Sequence, residues 1–245
     1  MENKVIIVED LVRMFGSFTA VDHITFDVKQ GEIFGFLGAN GAGKTTTMKM
    51  LTGLLSLSGG GAKVAGHDVQ TEPEKVKKSI GYMSQKFALY DDLSVWENIR
   101  FYSGVYGLTD KEIQEGGRAM LDKLGLGDVH NQLIGALPLG WKQKLAFSVA
   151  LLHQPEIVFL DEPTSGVDPV TRRQFWEMIY EAAESGTTVF VTTHYMDEAE
   201  YCDRIGIMVA GKLPALDTPA RLKQQFKSKS VDEVFVKLVR DRQKK

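Results

Sequence analysis

The sequence has 245 residues, of which 43% are hydrophobic and 25% are charged, and this composition is typical of a globular protein with one or two compact lobes. The formal net charge of -3 argues against a nucleic-acid-binding protein, because such domains are usually strongly basic. Cys202 is the single cysteine, which excludes a disulfide within the chain, and we expect it to be a small buried side chain.

Membrane-spanning segments are not predicted, because the sequence has no run of about 18 consecutive apolar residues. The start of the chain, residues 1–4, lacks the apolar core of a signal peptide. We therefore expect the chain to stay in the cytoplasm and any membrane span to belong to another subunit.

The first third of the chain has strand patterns and one helix. Residues 5–8 are apolar and residues 23–28 alternate between apolar and polar, which predicts two strands. A short apolar run, residues 33–37, precedes a glycine-rich turn and the helical pattern of residues 44–55. Strand, glycine turn and helix in this order form the βα unit of an α/β protein. Further along we predict a loop at residues 59–61, a hairpin at 63–68 and a strand at 80–84.

Helical patterns fill the middle of the chain, at residues 95–106, 110–124 and 141–152. Strand signals are scarce in this part. The pattern therefore predicts a helical subdomain, residues 87–152, that is inserted into the sheet.

Strand patterns return in the last third of the chain, at residues 157–160, 188–192 and 205–209, with a helix at residues 170–184. The predicted fold class is α/β, a mostly parallel sheet with an N-terminal antiparallel β subdomain and an inserted α-helical subdomain. In this prediction residues 1–86 and 153–220 form the core. Residues 221–245 form a C-terminal extension rich in Lys and Arg, which we expect to be a solvated tail.

A phosphate-binding loop is predicted at residues 38–45, Gly-Ala-Asn-Gly-Ala-Gly-Lys-Thr, which match the pattern G-x-x-x-x-G-K-[ST]. Glycines allow the positive φ angles at which successive N–H groups converge on phosphate, and the following helix points its positive end there. Lys44 is expected to reach the β- and γ-phosphates, and the Thr45 hydroxyl suits Mg²⁺. The pattern predicts a P-loop NTPase core, with nucleotide-binding residues Gly38, Asn40, Gly41, Ala42, Gly43, Lys44, Thr45 and Thr46.

A second motif must separate hydrolysis from other chemistries, because phosphate loops also occur in kinases, GTPases and DNA motors. Residues 157–162 form an apolar strand that ends in Asp161 and Glu162, at the edge where α/β sheets bind ligands. Asp161 is expected to hold Mg²⁺, and Glu162 to polarise the water that attacks the γ-phosphate. The two carboxylates thus predict a nucleoside triphosphatase.

The order of motifs resembles that of the ABC (ATP-binding cassette) ATPase family over almost the whole chain. That family has a glutamine after a core strand, matched by Gln85, and a D-loop, matched by the segment that ends in Asp168. It has a switch histidine, matched by His194, and an aromatic side chain that stacks on adenine, matched by Phe15. The resemblance implies ATP and Mg²⁺ as cofactors. It further implies that Gln85 contacts Mg²⁺ and the attacking water, and that His194 contacts the γ-phosphate and keeps Glu162 in place.

The chain departs from the family at the signature L-S-G-G-Q, which the opposite subunit of a head-to-tail dimer contributes. The matching residues read Leu-Pro-Leu-Gly-Trp, so only Leu137 and Gly140 agree. Pro138 removes the hydroxyl and the backbone N–H of the usual serine, and Leu139 adds a side chain where glycine lets the backbone approach phosphate. The resemblance implies that Leu137 and Gly140 still contact the partner's nucleotide. Pro138 is also suited to preset the first turn of a helix that begins at about Gly140.

The altered signature resembles a variant found in a branch of bacterial exporter ATPases for drugs, lipids or polysaccharides, and residues 231–235 resemble the end of such subunits. This implies the ATP-hydrolysing motor of a membrane transporter, peripheral on the inner face of the cell membrane. A second cassette and a separate transmembrane permease are the implied partners. An aromatic group lies where the family docks its permease helix: Phe87, Tyr90, Trp96, Phe101, Tyr102 and Tyr106.

Two other functions stay open on the sequence. Soluble ABC ATPases that act on DNA or ribosomes typically have long coiled coils or a second cassette with a basic linker. Between Gln85 and Leu137 there is room only for a compact helical lobe, so we do not expect nucleic acid as a partner. A structural subunit that binds nucleotide but hydrolyses little is compatible with the altered signature.

Overall fold

The structure, a computed structural model, describes residues 3–85 and 89–243. In chain order its strands and α-helices are β1 (Lys4–Phe15), β2 (Phe18–Lys29), β3 (Ile33–Leu37), α1 (Lys44–Leu51), β4 (Gly59–Val64), β5 (His67–Asp68), α2 (Pro73–Ser79), β6 (Ile80–Met83), α3 (Val95–Val105), α4 (Asp110–Leu124), α5 (Leu139–Leu151), β7 (Ile157–Asp161), α6 (Pro169–Glu184), β8 (Thr188–Thr193), β9 (Arg204–Val209), β10 (Lys212–Asp217), α7 (Pro219–Gln225) and α8 (Val231–Gln243).

The described strands form two sheets. The smaller sheet is antiparallel, with the order β2-β1-β4-β5, and the larger sheet has the order β10-β9-β3-β8-β7-β6. Neighbours in the larger sheet are parallel except for β9 and β10. The predicted α/β class, with a mostly parallel sheet and an antiparallel N-terminal part, is confirmed.

The central strands of the larger sheet position the functional residues. All residues of β3, β7 and β8 are buried, as expected for parallel strands that are covered on both faces. Because parallel strands end at the same edge, the phosphate loop after β3, Glu162 after β7 and His194 after β8 meet there. Gln85 follows β6 at the same edge.

Apolar cores lie on both faces of the larger sheet. Between the two sheets, stacked phenylalanines include Phe34 and Phe190, whose ring centroids are 5.5 Å apart. On the opposite face, Phe147 of α5 and Trp176 of α6 cover the sheet. Cys202 is buried in this second core, as expected, and burial raises the pKa of its thiol.

The helices predicted for the middle of the chain are present as α3, α4 and α5. Capping boxes start α3 and α4, in which Ser94 pairs with Glu97 and Thr109 with Glu112. Helix α4 ends at Gly125, which has a φ angle of 67° and serves as a left-handed C-cap. No helix within the described ranges is long and apolar enough to cross a membrane.

Two glycine segments differ from the prediction. Helix α1 ends at Leu51 instead of residue 55, because the chain turns at Gly53 with a φ angle of 69°. Residues 59–61, predicted as a loop, are the first residues of β4 and pair with β1. A Cβ at Gly60 would collide with the carbonyl of Asp10, so glycine here permits a bulged strand pair.

The C-terminal extension is not a solvated tail, so that prediction is wrong for its described residues. Helices α7 and α8 bury Leu222, Val231 and Val234 in the core shared with α5 and α6. Phe235 and Leu238 are partly buried beside them. The spacing from Val231 to Leu238 follows one face of a helix, a periodicity that the abundance of Lys and Arg concealed.

Candidate active site

The loop between β3 and α1 has the backbone geometry of a phosphate cradle. Gly41 and Gly43 have φ angles of 78° and 109°, which other residues rarely adopt. A Cβ at Gly43 would lie 2.5 Å from the carbonyl oxygen of Ala20, so the close backbone approach also requires glycine. Apart from its two chain neighbours, no described residue has an atom within 4 Å of a Cβ built at Gly41, so the loop is open on that side toward the described part of the chain.

Lys44 is buried at the start of α1, and its Nζ donates hydrogen bonds to the carbonyl oxygens of Gly38 at 2.8 Å and Ala39 at 3.2 Å. The ammonium group is thereby held against the loop. The other residues predicted to bind nucleotide lie on the loop or in the first turn of α1: Asn40 and Gly41 are exposed, Ala42 and Gly43 are buried, and Thr45 and Thr46 are half-buried.

Asp161 ends β7 with its side chain fully buried. Its Oδ1 accepts hydrogen bonds from the Thr192 hydroxyl at 2.6 Å and the Thr45 hydroxyl at 3.2 Å, while Oδ2 is buried without a partner among the described residues. Burial raises the pKa of Asp161, and the two hydroxyls partly offset that effect. A buried free carboxylate oxygen beside a threonine hydroxyl could hold Mg²⁺. Phosphate oxygens of the substrate and water molecules commonly complete the coordination of this ion.

Glu162 brings several predicted residues together. Lys44 Nζ lies 3.2 Å from its Oε1, and Gln85 Nε2 and His194 Nδ1 each lie 2.9 Å from its Oε2. The residue has a φ angle of 49°, and its backbone N–H donates to Thr192. Sequence reasoning missed Thr192, although a threonine at the carboxyl end of an apolar strand was the available signal. Its contacts fix the orientation of both acidic residues.

Comparison with known proteins agrees with this geometry. The model of the family described as ABC transporter matches residues 21–165, more than half of the chain, including the phosphate loop and both acidic residues. The chain belongs to the ABC transporter family. The predicted ABC-type ATPase domain is confirmed.

Relatives of this ABC domain include named transporter proteins. It is 50% identical over 97% of its length to the probable multidrug ABC transporter ATP-binding protein YbhF of Escherichia coli, but spans only 42% of that protein. It is 37% identical over 93% of its length to the linearmycin resistance ATP-binding protein LnrL of Bacillus subtilis, covering 74% of it. A solved ATP-binding subunit of an ABC transporter superposes with a TM-score of 0.86 at 29% identity, over 96% of this chain and 99% of that one.

The segments predicted to be the signature and the D-loop lie side by side. Asp168 caps α6 by accepting hydrogen bonds from the Val170 and Thr171 backbone N–H groups and from the Thr171 hydroxyl at 2.6 Å. A Cβ at Gly140 would lie 2.5 Å from Thr171 Cγ2, so the start of α5 abuts α6. A cleft of about 310 Å³, lined by residues of both segments, opens beside this contact. Leu137 is buried, so its side chain is part of the lobe's core.

Pro138 is the N-cap residue of α5, which begins at Leu139. The helix thus starts within one residue of the predicted position at about Gly140, and Pro138 directly precedes its first turn. Its carbonyl accepts hydrogen bonds from the Trp141 and Lys142 N–H groups, and no side chain of the described residues caps the helix. The N-terminus of α5 thus has no side-chain acceptor of the kind that serine gives.

Phe15 lies at the end of β1, half of its surface exposed, with the Arg13 guanidinium 4.6 Å from its ring centroid. Phe18, its partner across the β1–β2 turn, is 63% exposed. The hairpin therefore presents two aromatic side chains, and sequence reasoning named only the first. The alternation of apolar and polar residues along a strand did not indicate Phe18, because Phe15 and Phe18 lie at the turn between the two strands.

The aromatic residues after Gln85 divide into surface and interior groups. Tyr90, Phe101 and Tyr102 form a cluster with ring centroids 5.1 to 6.1 Å apart, in which Tyr90 and Phe101 are exposed and Tyr102 is partly buried. Trp96 instead packs on α4, where a Cβ at Gly117 would lie 3.0 Å from its ring. Tyr106 stacks on His153 at 3.8 Å. Phe87 lies outside the described residues.

Proposed function

We propose that the chain binds ATP with Mg²⁺ and hydrolyses it as the motor of a membrane exporter, working as a head-to-tail pair of cassettes on a separate permease subunit. The main observation in support of hydrolysis is the position of the Glu162 carboxylate at the edge of the sheet, where it contacts Lys44, Gln85 and His194. Replacing Glu162 tests the proposal directly, and the expected result opens the Discussion.

Each residue at the edge has a role in this proposal. Thr45, Asp161 and Gln85 are the residues that would hold Mg²⁺, and the ion would supply positive charge to neutralise the phosphates. Lys44 and the loop N–H groups bind the phosphates. Glu162 takes the proton of the attacking water, a general-base contribution of about 10²- to 10⁴-fold in rate. His194 orients that carboxylate and contacts the γ-phosphate.

The remaining proposed nucleotide contacts lie outside this cluster. Phe15 stacks on the adenine from the exposed tip of β1. Gly140, Asp168 and the backbone of Leu137, whose side chain is buried, act across the interface between two cassettes. There the N-terminus of α5 faces the partner's γ-phosphate. The exposed side of the cleft between α5 and α6 supports that placement.

Export at the inner face of the cell membrane is supported by two relatives, one named as a probable multidrug ABC transporter ATP-binding protein and one as a linearmycin resistance ATP-binding protein. The net charge of -3 and the compact helical lobe disfavour a nucleic-acid partner. For the permease contact, the proposed surface is the cluster of Tyr90, Phe101 and Tyr102, of which Tyr90 and Phe101 are exposed. Asn98 stabilises the position of Tyr90. The side-chain amide of Asn98 accepts a hydrogen bond from the Tyr90 backbone N–H and donates one to its C=O.

Tyr90→Ala is expected to weaken retention of an integral membrane protein by about 30-fold, because truncating a central interfacial aromatic costs about 2 kcal/mol or more. The measurement is quantitative recovery with the tagged chain from detergent-solubilised membranes of its source cells. Tyr180→Ala, which removes a similarly exposed ring on α6, is the matched control. Trp96→Ala is less suitable, because it would also disturb α4. Equal retention by both variants would contradict the proposed surface, and recovery on DNA would overturn the transporter proposal.

Pro138→Ser is expected to raise basal ATP turnover modestly and to favour the ATP-bound dimer. An N-cap serine stabilises a helix by about 0.5–2 kcal/mol, against about 0.4–1 kcal/mol lost with the proline. It also restores a hydroxyl and an N–H donor for the γ-phosphate across the interface. Adding Leu139→Gly should increase both quantities further.

Phosphate release and dimer fraction at saturating ATP measure these effects. Pro138→Ala supplies the N–H without the hydroxyl and separates the two contributions. Unchanged or lower values for both Pro138→Ser and the double variant would favour a structural subunit with little hydrolysis.

A further inference from the structure

A buried carboxyl group lies behind the catalytic cluster. Glu198, in the short 3₁₀ helix Met196–Tyr201 after β8, has no exposed surface. Its Oε1 accepts a hydrogen bond from the Thr164 hydroxyl at 2.5 Å, and its Oε2 accepts one from the Thr193 hydroxyl at 2.5 Å. Both oxygens are therefore used, and each is used by a different loop.

The two threonines belong to the loops that carry the proposed catalytic residues. Thr164 lies two residues after Glu162, and Thr193 immediately precedes His194. The Thr193 oxygen also accepts the Tyr195 backbone N–H at 3.0 Å, which fixes the turn through the histidine. One carboxyl group thus ties together the ends of β7 and β8.

A second contact layer joins Glu198 to α6 and back to the histidine. Arg172 Nε lies 3.7 Å from Glu198 Oε1. The same guanidinium lies 4.1 Å from the Tyr195 ring centroid, and that ring is 4.1 Å from the His194 ring. Helix α6 begins directly after Asp168, so the network also reaches the D-loop.

We propose that Glu198 is a positioning residue for hydrolysis, which sets the separation of Glu162 and His194 by bridging Thr164 and Thr193. This inference rests on the proposed function. Without the carboxyl group, two buried hydroxyls lose their hydrogen-bond acceptor. No other contact among the described residues links these two threonines. The 2.9 Å distance between His194 Nδ1 and Glu162 Oε2 would then become more variable. A displacement of about 1 Å at a reacting group can lower the rate about 100-fold.

Glu198→Ala is expected to lower kcat about 10- to 100-fold while the Kd for ATP changes less than about twofold, since Lys44 and the phosphate loop are not in contact with it. Glu198→Gln should retain more activity, because the amide can donate to one threonine hydroxyl while its oxygen accepts from the other. The matched control is Glu200→Ala, which removes an exposed carboxylate of the same segment that pairs with Lys223.

A double-variant cycle with His194→Ala separates positioning from a general loss of stability. If Glu198 acts through the histidine loop, the double variant should be no slower than His194→Ala alone. Additive losses, or an unchanged kcat for Glu198→Ala, would refute the inference. If Glu198→Ala does not fold, Thr193→Val and Thr164→Val decide, because each removes one hydroxyl at nearly constant volume and should lower kcat with ATP binding intact.

These outcomes are distinguishable from failure of the proposed function. A parent chain without ATP turnover would refute that function, and this inference with it. A parent that turns over ATP and loses activity with Glu162→Gln, but not with Glu198→Ala or either threonine variant, would refute the role of Glu198 alone.

Discussion

Glu162→Gln is expected to lower ATP hydrolysis by at least about 100-fold while ATP still binds, because the variant lacks the general base. The contacts of Lys44 and Thr45 with phosphate and metal do not depend on that base. The amide also conflicts with its surroundings. If its oxygen faces Lys44, its NH₂ group faces Gln85 Nε2 and His194 Nδ1, which are donors to the carboxylate in this structure.

Binding without hydrolysis should trap the closed pair of cassettes. Phosphate release, nucleotide binding and ATP-dependent dimerisation by size measure the three consequences separately. Glu184→Gln, at the exposed end of α6, controls for the change of charge. Turnover at the parent rate would show that Glu162 is not the base.

Lys44→Met is expected to raise the Kd for ATP by about 10- to 100-fold, because hydrogen bonds to charged groups are worth about 1.5–3 kcal/mol. Methionine keeps an unbranched side chain of similar length and removes the ammonium group. The carboxylate of Glu162 would also lose its cationic neighbour at 3.2 Å, which adds a cost to the folded protein.

Titration with a non-hydrolysable ATP analogue measures this affinity independently of turnover. Lys49→Met is the control, because Lys49 lies on the exposed side of the same helix. Thermal unfolding of both variants separates loss of binding from loss of fold. ATP affinity equal to that of the parent would refute the assignment of Lys44 to the phosphates.

The prediction from sequence was most successful where a motif is contiguous. The glycines, Lys44 and Thr45 of the phosphate loop lie within one short segment, so their geometry follows from local backbone preferences. The amphipathic pattern predicted helix α4 with the observed bounds, and in the structure local caps at Thr109 and Gly125 set these bounds. The predictions for residues 59–61 and for the C-terminal helices were wrong, because a paired β-bulge and a buried helix face depend on partners that are distant in the sequence.

The sequence by itself determined the family, the phosphate loop and the identity of the acidic pair, because these depend on residue types at fixed spacing. Only the tertiary structure decided which side chains meet. The strand order β3-β8-β7-β6 brings Lys44, Gln85 and His194 to Glu162, and that order is not encoded in their separation along the chain. The role of Glu198 could not be predicted from the sequence for the same reason. Its two hydroxyl partners come from different strand ends, and only parallel strands that end at one edge bring them within reach of one carboxyl group.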